Sequence, residues 1–143
     1  MAPKKEPFHE VEYREHEGCL CPIVEIIIGE NEKKIPAYAD TGCTSGIFVF
    51  KEQIKGIDLG DKINDEPTPC IMADGHIIGA DEYETTAEIN GEKSTILVTV
   101  LDPTIKLGSV SPKEMTPLLG RNLLDNFDVL FKGKEKKIAL FKC

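Results

Sequence analysis

The dipeptide Asn90-Gly91 stands between two runs rich in β-branched residues, at 83–89 and 94–101. Both residues tolerate positive φ, so the pair favours the tight turn whose twist matches an antiparallel hairpin. Asp74-Gly75 gives a second hairpin signal, between apolar residues within 70–78. These two turns constrain the fold most, because they predict antiparallel strands through the middle of the chain.

Further short runs of β-branched and apolar residues recur about every 8–12 residues, at 23–28, 34–39, 47–50, 127–131 and 137–141. Residues 51–59 have room for one or two helical turns, and residues 121–126 predict a short helical segment. Residues 102–117 contain three prolines and predict a long loop. The pattern predicts an all-β sandwich or a partly closed barrel.

The length of 143 residues indicates a single domain. Residues 1–18 are rich in Glu, Lys and Pro, so we predict a flexible N-terminal arm or an edge strand there. The ordered domain is predicted to span residues 19–143.

The formal net charge of −8 argues against a nucleic-acid partner, which requires clustered Lys and Arg. No apolar run approaches the roughly 18 residues of a membrane span, and no targeting signal is visible. We therefore expect a cytoplasmic protein, with neither a nucleic-acid nor a membrane partner. The five cysteines are expected to be free thiols, and no cofactor or metal is implied.

A short apolar segment, residues 37–39, leads directly into Asp40-Thr41-Gly42. The glycine allows backbone N–H groups to approach the carboxylate, and the threonine hydroxyl can bond to nearby backbone. This arrangement presents a reactive carboxylate on a rigid scaffold. The triplet alone also fits an aspartate that starts an ordinary turn.

The downstream context is more specific. Pro117-Leu118-Leu119-Gly120-Arg121 combines an apolar pair with a glycine and a helix start. Over about residues 20–131, the order of strand, Asp-Thr-Gly, hairpin and apolar-apolar-Gly segment resembles the retropepsins, aspartic proteases of retroviruses and their cellular relatives. The resemblance implies an aspartic endopeptidase with Asp40, Thr41 and Gly42 in the catalytic loop.

The resemblance also implies the fold and further roles. The fold would be a closed or partly closed acid-protease barrel of one lobe with a short helix, assembled as a two-fold homodimer. Thr41 would hydrogen-bond to its counterpart across the axis, and Gly120 would let a backbone cross close behind the loop. A flap would close over an extended peptide, with its tip at Met72, Ala73, Asp74, Gly75 and His76. Cys43, Thr44 and Arg121 would support the loop.

Aspartic proteases use two carboxylates that share one proton, and only one Asp-Thr-Gly is present. The second must then come from another copy of the chain, related by a two-fold axis. The expected partners are a second copy and a peptide or protein substrate.

The chain departs from the family at several positions. Cys43 replaces the usual Ala or Ser, and Thr44 stands where retroviral members often carry the Asp that pairs with the arginine at 121. Residues 106–115 look like an insertion, and the hairpin after residue 131 is additional, so the dimer interface cannot be carried over.

Other interpretations stay open. Cys43 and His76 are a conceivable nucleophile pair. Cys19 and Cys21, with His9 and His16, have a spacing unlike that of structural zinc. Asp74 and Asp128 fit turns. The principal alternative is a non-catalytic dimeric β-module that binds extended peptides or assembles a larger complex.

Overall fold

A computed structural model describes residues 5–72, 75, 77–106 and 116–142. In these ranges the strands are β1 (His9–Glu12), β2 (Arg14–His16), β3 (Cys19–Cys21), β4 (Ile23–Ile28), β5 (Lys33–Ala39), β6 (Ile47–Phe50), β7 (Thr68–Ile71), β8 (Ile77–Ile89), β9 (Glu92–Lys106), β10 (Leu118–Leu119), β11 (Phe127–Lys132) and β12 (Lys137–Lys142). A 3₁₀ helix spans Lys51–Ile54, and an α-helix, α1, spans Arg121–Leu124. Within the described ranges, no helix has the length and apolar character needed to cross a membrane.

Six strands close into a barrel in the order β4-β5-β10-β6-β9-β8, because β8 also pairs with β4. β7 adds to the outer side of β8 and forms a hairpin with it. A closed barrel has no unpaired edge, so its backbone groups are satisfied internally. The fold class, an all-β closed barrel of one lobe with a short helix, is confirmed. Its assembly as a homodimer stays a prediction.

The central hairpin forms where the sequence predicts it. Ile89 pairs with Glu92, and the two residues between them have φ of 48° and 86°, the left-handed values that Asn and Gly accommodate. The first and last hairpins, β4–β5 and β11–β12, are also confirmed. The two helical segments are shorter than expected, one turn each.

The prediction of a loop over residues 102–117 is wrong at its start, because β9 continues to Lys106. Between the pairs Ala80–Leu101 and Ile78–Lys106, β8 advances by two residues and β9 by five, which is an irregular bulge. A bulge accommodates Pro103, since proline cannot donate to a regular ladder. Pairing with the long strand β8 therefore overrides the local loop signal. Of the predicted insertion at 106–115, residues 107–115 are not among the residues that the structure describes.

Alternation along the strands builds the core. In β4, Val24, Ile26 and Ile28 are completely buried, whereas Glu25 between them is exposed, because successive side chains point to opposite faces. Most buried side chains form one cluster inside the barrel. A second, smaller cluster lies where β8 leaves the barrel and includes Phe50, Ile78, Ala80 and Leu101.

A second sheet joins distant parts of the chain in the order β1-β12-β11. His9 pairs with Leu140, and the Phe8 ring stacks on Phe127 with 5.8 Å between centroids. Of the two alternatives for the N-terminal segment, the structure shows the edge strand for His9–Glu12. The division into an arm, 1–18, and a domain, 19–143, stays a prediction. β2 and β3 form a separate small hairpin.

We predict that Ile26→Ala lowers the free energy of unfolding by about 2–5 kcal/mol, because it leaves a cavity in the barrel. The matched control is Ile63→Ala, since Ile63 is 55% exposed and its truncation should cost less than about 0.5 kcal/mol. Urea unfolding followed by circular dichroism measures both. Equal losses for the two variants would contradict this assignment of the core.

Candidate active site

Asp40 emerges where three strands meet. β10 lies between β5 and β6, parallel to the first and antiparallel to the second, with Leu119 opposite both Ala39 and Ile47. The Asp40 amide donates to the Leu119 carbonyl at 2.9 Å. The base of the loop is therefore fixed on both sides by the backbone of the barrel.

The loop holds its own carboxylate. The Gly42 amide donates to Asp40 Oδ1 at 2.8 Å, and the Cys43 amide donates to the Asp40 carbonyl at 3.1 Å. A Cβ added at Gly42 would lie 3.2 Å from the same Oδ1, closer than an ordinary contact. Glycine thus lets the amide reach the carboxylate. Thr41 and Thr44 are exposed beside it, and the predicted bond from Thr41 to its counterpart across a two-fold axis stays a prediction.

Gly120 brings the start of α1 against the back of this loop. Its amide donates to the Gly46 carbonyl at 2.9 Å, and the Arg121 amide donates to the Cys43 carbonyl at 2.8 Å. A Cβ on Gly120 would lie 2.1 Å from the Ser45 carbonyl oxygen and 2.8 Å from Cys43 Sγ. The close crossing behind the loop requires glycine at this position. The Arg121 side chain itself is exposed.

Sequence reasoning missed a polar network that ties the loop to β9. The Thr99 hydroxyl donates to Ser45 Oγ at 2.9 Å, and Ser45 Oγ lies 3.0 and 3.1 Å from the Ile47 and Leu97 carbonyls. The Asn122 side-chain oxygen accepts from the Leu97 amide at 2.8 Å. No local sequence signal marks this network, because its burial at Thr99 is visible only in the structure.

An open cleft of about 680 Å³ lies in front of the loop. Its floor is the segment from Asp40 to Ser45, and β7 with Met72 forms one wall. Gly75 has φ of 89° and donates its amide to the Met72 carbonyl, as a turn at the hairpin tip requires. The other predicted flap residues, Ala73, Asp74 and His76, lie outside the described residues.

Two thiols line the cleft. Burial raises the pKa of the Cys43 thiol, a hydrogen bond from the Ser45 backbone opposes the rise, and the Asp40 charge adds to it. Burial also raises the pKa of Cys70, and the Glu82 charge adds to that rise. Because the thiolate is the nucleophilic form, these shifts disfavour a cysteine nucleophile at neutral pH.

Cys19 and Cys21 lie together in β3. Within the part of the chain that the structure describes, no three His, Cys, Asp or Glu side chains are grouped so that they could hold a metal ion.

The chain is similar in fold to solved structures of known proteins. No protein-family model matches the chain, and no curated protein matches it. Among solved structures, a retropepsin-like aspartic protease from Rickettsia conorii is 21% identical with a TM-score of 0.60, covering 92% of this chain and 98% of its own. The protease of EIAV, complexed with the inhibitor HBY-793, is 16% identical with a TM-score of 0.57, covering 78% of this chain and 92% of its own.

These likenesses, together with the barrel and the Asp40 loop, define the fold as that of an aspartic protease with a single lobe. More narrowly, the chain has the retropepsin-like fold.

We predict that Gly120→Ala destabilises the protein by about 1–3 kcal/mol or more, because the new methyl group meets backbone that cannot move aside. Gly133→Ala is the control: nothing lies within 4 Å of a Cβ at Gly133, so stability should stay within about 0.5 kcal/mol. Thermal unfolding of both variants measures the difference. Normal stability of Gly120→Ala would refute the close crossing.

Proposed function

We propose that this chain is an aspartic endopeptidase that is active as a two-fold homodimer, with Asp40 of each subunit forming the catalytic pair. The observation that carries the proposal is the position of Asp40. It directly follows barrel strand β5, its carboxylate is held by the Gly42 amide, and it lies on the floor of an open cleft. Of the two solved structures with this fold named above, one is a protease and the other is a retropepsin-like aspartic protease.

One carboxylate does not suffice for this chemistry. Two carboxyl groups in close contact share a proton, since like charges at that distance cannot both be ionised. The ionised group takes a proton from water, which attacks the scissile carbonyl, while the protonated group donates to the carbonyl oxygen. The sequence contains one Asp-Thr-Gly, so the second carboxylate is the partner subunit's Asp40.

The substrate would be an extended peptide. A peptide strand lying along the β7–β8 hairpin can use main-chain hydrogen bonds for affinity and side-chain pockets for selectivity. Ile71 and Ile77 face each other across this hairpin and are 78% and 44% exposed. Closure of the hairpin over the peptide would bury these apolar side chains and exclude water from the carboxylates.

The remaining features of the proposal follow from charge and composition. Self-association and peptide binding are the partnerships it requires, and the net charge of −8 argues against nucleic acid as a partner. We place the protein in the cytoplasm, since its described cysteines are free thiols, which reducing compartments maintain.

Asp40→Asn should reduce peptide cleavage by about 10²–10⁴-fold or more, because an amide neither accepts the proton from water nor shares one. Asp65→Asn is the control, since Asp65 is exposed in a loop outside the cleft. A diverse peptide mixture, incubated with each variant and analysed by mass spectrometry, measures cleavage. Absence of cleavage by the wild type, or cleavage that survives Asp40→Asn, would instead favour a non-catalytic dimeric β-module.

A subunit-mixing experiment tests the shared site directly. With nine Asp40→Asn subunits per wild-type subunit and full exchange, only about one wild-type subunit in ten pairs with another, so activity per wild-type subunit should fall about tenfold. With the same excess of Asp65→Asn, whose subunits are themselves active, the activity per total subunit should stay at the wild-type level. Activity that does not respond to the Asp40→Asn excess would show that each subunit works alone.

A further inference from the structure

Glu82 is a second carboxylate in the cleft. Among the described residues that line the cleft, it is the only acidic side chain besides Asp40, and none of the lining residues is basic. The other side chains that line the cleft are apolar or carry hydroxyl or thiol groups. A carboxylate in such surroundings favours a cationic group, because opposite charges attract more strongly beside an apolar surface than in bulk water.

The backbone fixes where Glu82 points. Its amide donates to the Asn64 side-chain oxygen at 2.8 Å, and its carbonyl accepts from the Ile63 amide at 2.8 Å. In the β8–β9 ladder it stands opposite Thr99, which also lines the cleft. The preceding residue, Asp81, points to the other face, where it pairs with Lys62 at 3.7 Å. Glu82 is therefore held with its side chain toward the cleft.

The Glu82 carboxylate has no cation of its own within the described ranges. Lys62 is paired with Asp81, and no Lys, Arg or His among the described residues lies within ion-pair distance of Glu82. Glu82 is half-buried. Its negative charge adds to the effect of burial in raising the pKa of the Cys70 thiol, which lies in the wall of the cleft. The site thus offers negative charge that this part of the chain does not neutralise.

We propose that the cleft contains a subsite for a basic side chain and that Glu82 is the residue that determines this specificity. The substrate class is then peptides with Lys or Arg at one fixed distance from the scissile bond and apolar residues nearby. The aliphatic stem of Lys or Arg would pack on apolar wall residues, and its charged head would donate to the Glu82 carboxylate. The Thr68 and Thr99 hydroxyl oxygens, which also line the cleft, provide further acceptors.

This inference rests on the proposed function, because it assigns selectivity to the same cleft. Glu82 is a binding residue for the substrate side chain and not part of the chemical step. Substitution of Glu82 should therefore alter the ratio of kcat/KM between a substrate with a basic side chain and one without it. Loss of the Asp40 carboxylate should instead abolish turnover of both substrates.

The test uses pairs of peptides that carry either Lys or norleucine, a neutral analogue of similar shape, at each position around a cleaved bond. For the wild type we expect kcat/KM to favour Lys about tenfold or more at one position, the range of a hydrogen bond to a charged group. Glu82→Gln should bring the Lys-to-norleucine ratio of kcat/KM close to one, whereas Glu82→Asp should keep part of the preference. Glu82→Lys should disfavour the Lys peptide and favour a peptide with Glu at the same position.

Glu84→Gln is the matched control. Glu84 lies two residues along β8, is exposed and does not line the cleft, so this variant should keep the wild-type ratio. No preference for Lys at any position in the wild type would overturn the proposal. A preference that persists in Glu82→Gln would also overturn it.

A binding measurement separates this proposal from the proposed function. If the wild type cleaved no peptide, the endopeptidase would be refuted, and the same labelled peptide pairs would be compared by fluorescence anisotropy. Tighter binding of the Lys peptide that is lost in Glu82→Gln and kept in Glu84→Gln would still support the subsite. Equal binding of both peptides, or no binding of either, would refute it.

Discussion

Direct backbone contact between Gly120 and residues 43–46 is the constraint on which the rest of the structure depends. β10 is only two residues long, yet it bonds to β5 on one side and β6 on the other and so completes the barrel. The carbonyls of Cys43, Ser45 and Gly46 accept amides from the segment that begins α1. These bonds satisfy loop carbonyls and helix amides together, since the first amides of a helix have no partner within the helix.

This contact also explains how a loop can be both exposed and fixed. Behind Asp40, the loop is bonded to α1 and, through Ser45 and Thr99, to β9. In front, Thr41 and Gly42 face solvent. A carboxylate that must meet a substrate and a second subunit needs such a support, because displacement by even about 1 Å is costly for catalytic geometry.

The features that the sequence predicted are those encoded locally. Asn90-Gly91 determines its hairpin through its own allowed dihedral angles, and alternation in β4 shows its buried face. The continuation of β9 through Pro103 depends on pairing with β8, a contact between distant residues that overrides the local composition. The Ser45–Thr99 bond and the pairing of β1 with β12 join positions 54 or more residues apart, and no local pattern indicates them.

The candidate site shows the same division. Asp40, Gly42 and Gly120 belong to a motif with known spacing, so the sequence alone indicated that they lie close together. Glu82 belongs to no such motif. In the sequence it is one of several acidic residues between 81 and 92, and only the register of β8 distinguishes it, by turning it toward the cleft while Asp81 faces Lys62.

The pairing of β1 with β12 has a consequence for how the chain reaches this structure. Residue 9 must find residue 140, and the barrel itself cannot close before residues 118–119 insert between β5 and β6. During synthesis, the first 117 residues therefore have no complete barrel to join, and their strand edges stay open until residues 118–119 appear. A topology dominated by such distant contacts folds slowly. Assembly of the Asp40 loop accordingly waits for residues 118–122, and the newly made chain has no supported site before they appear.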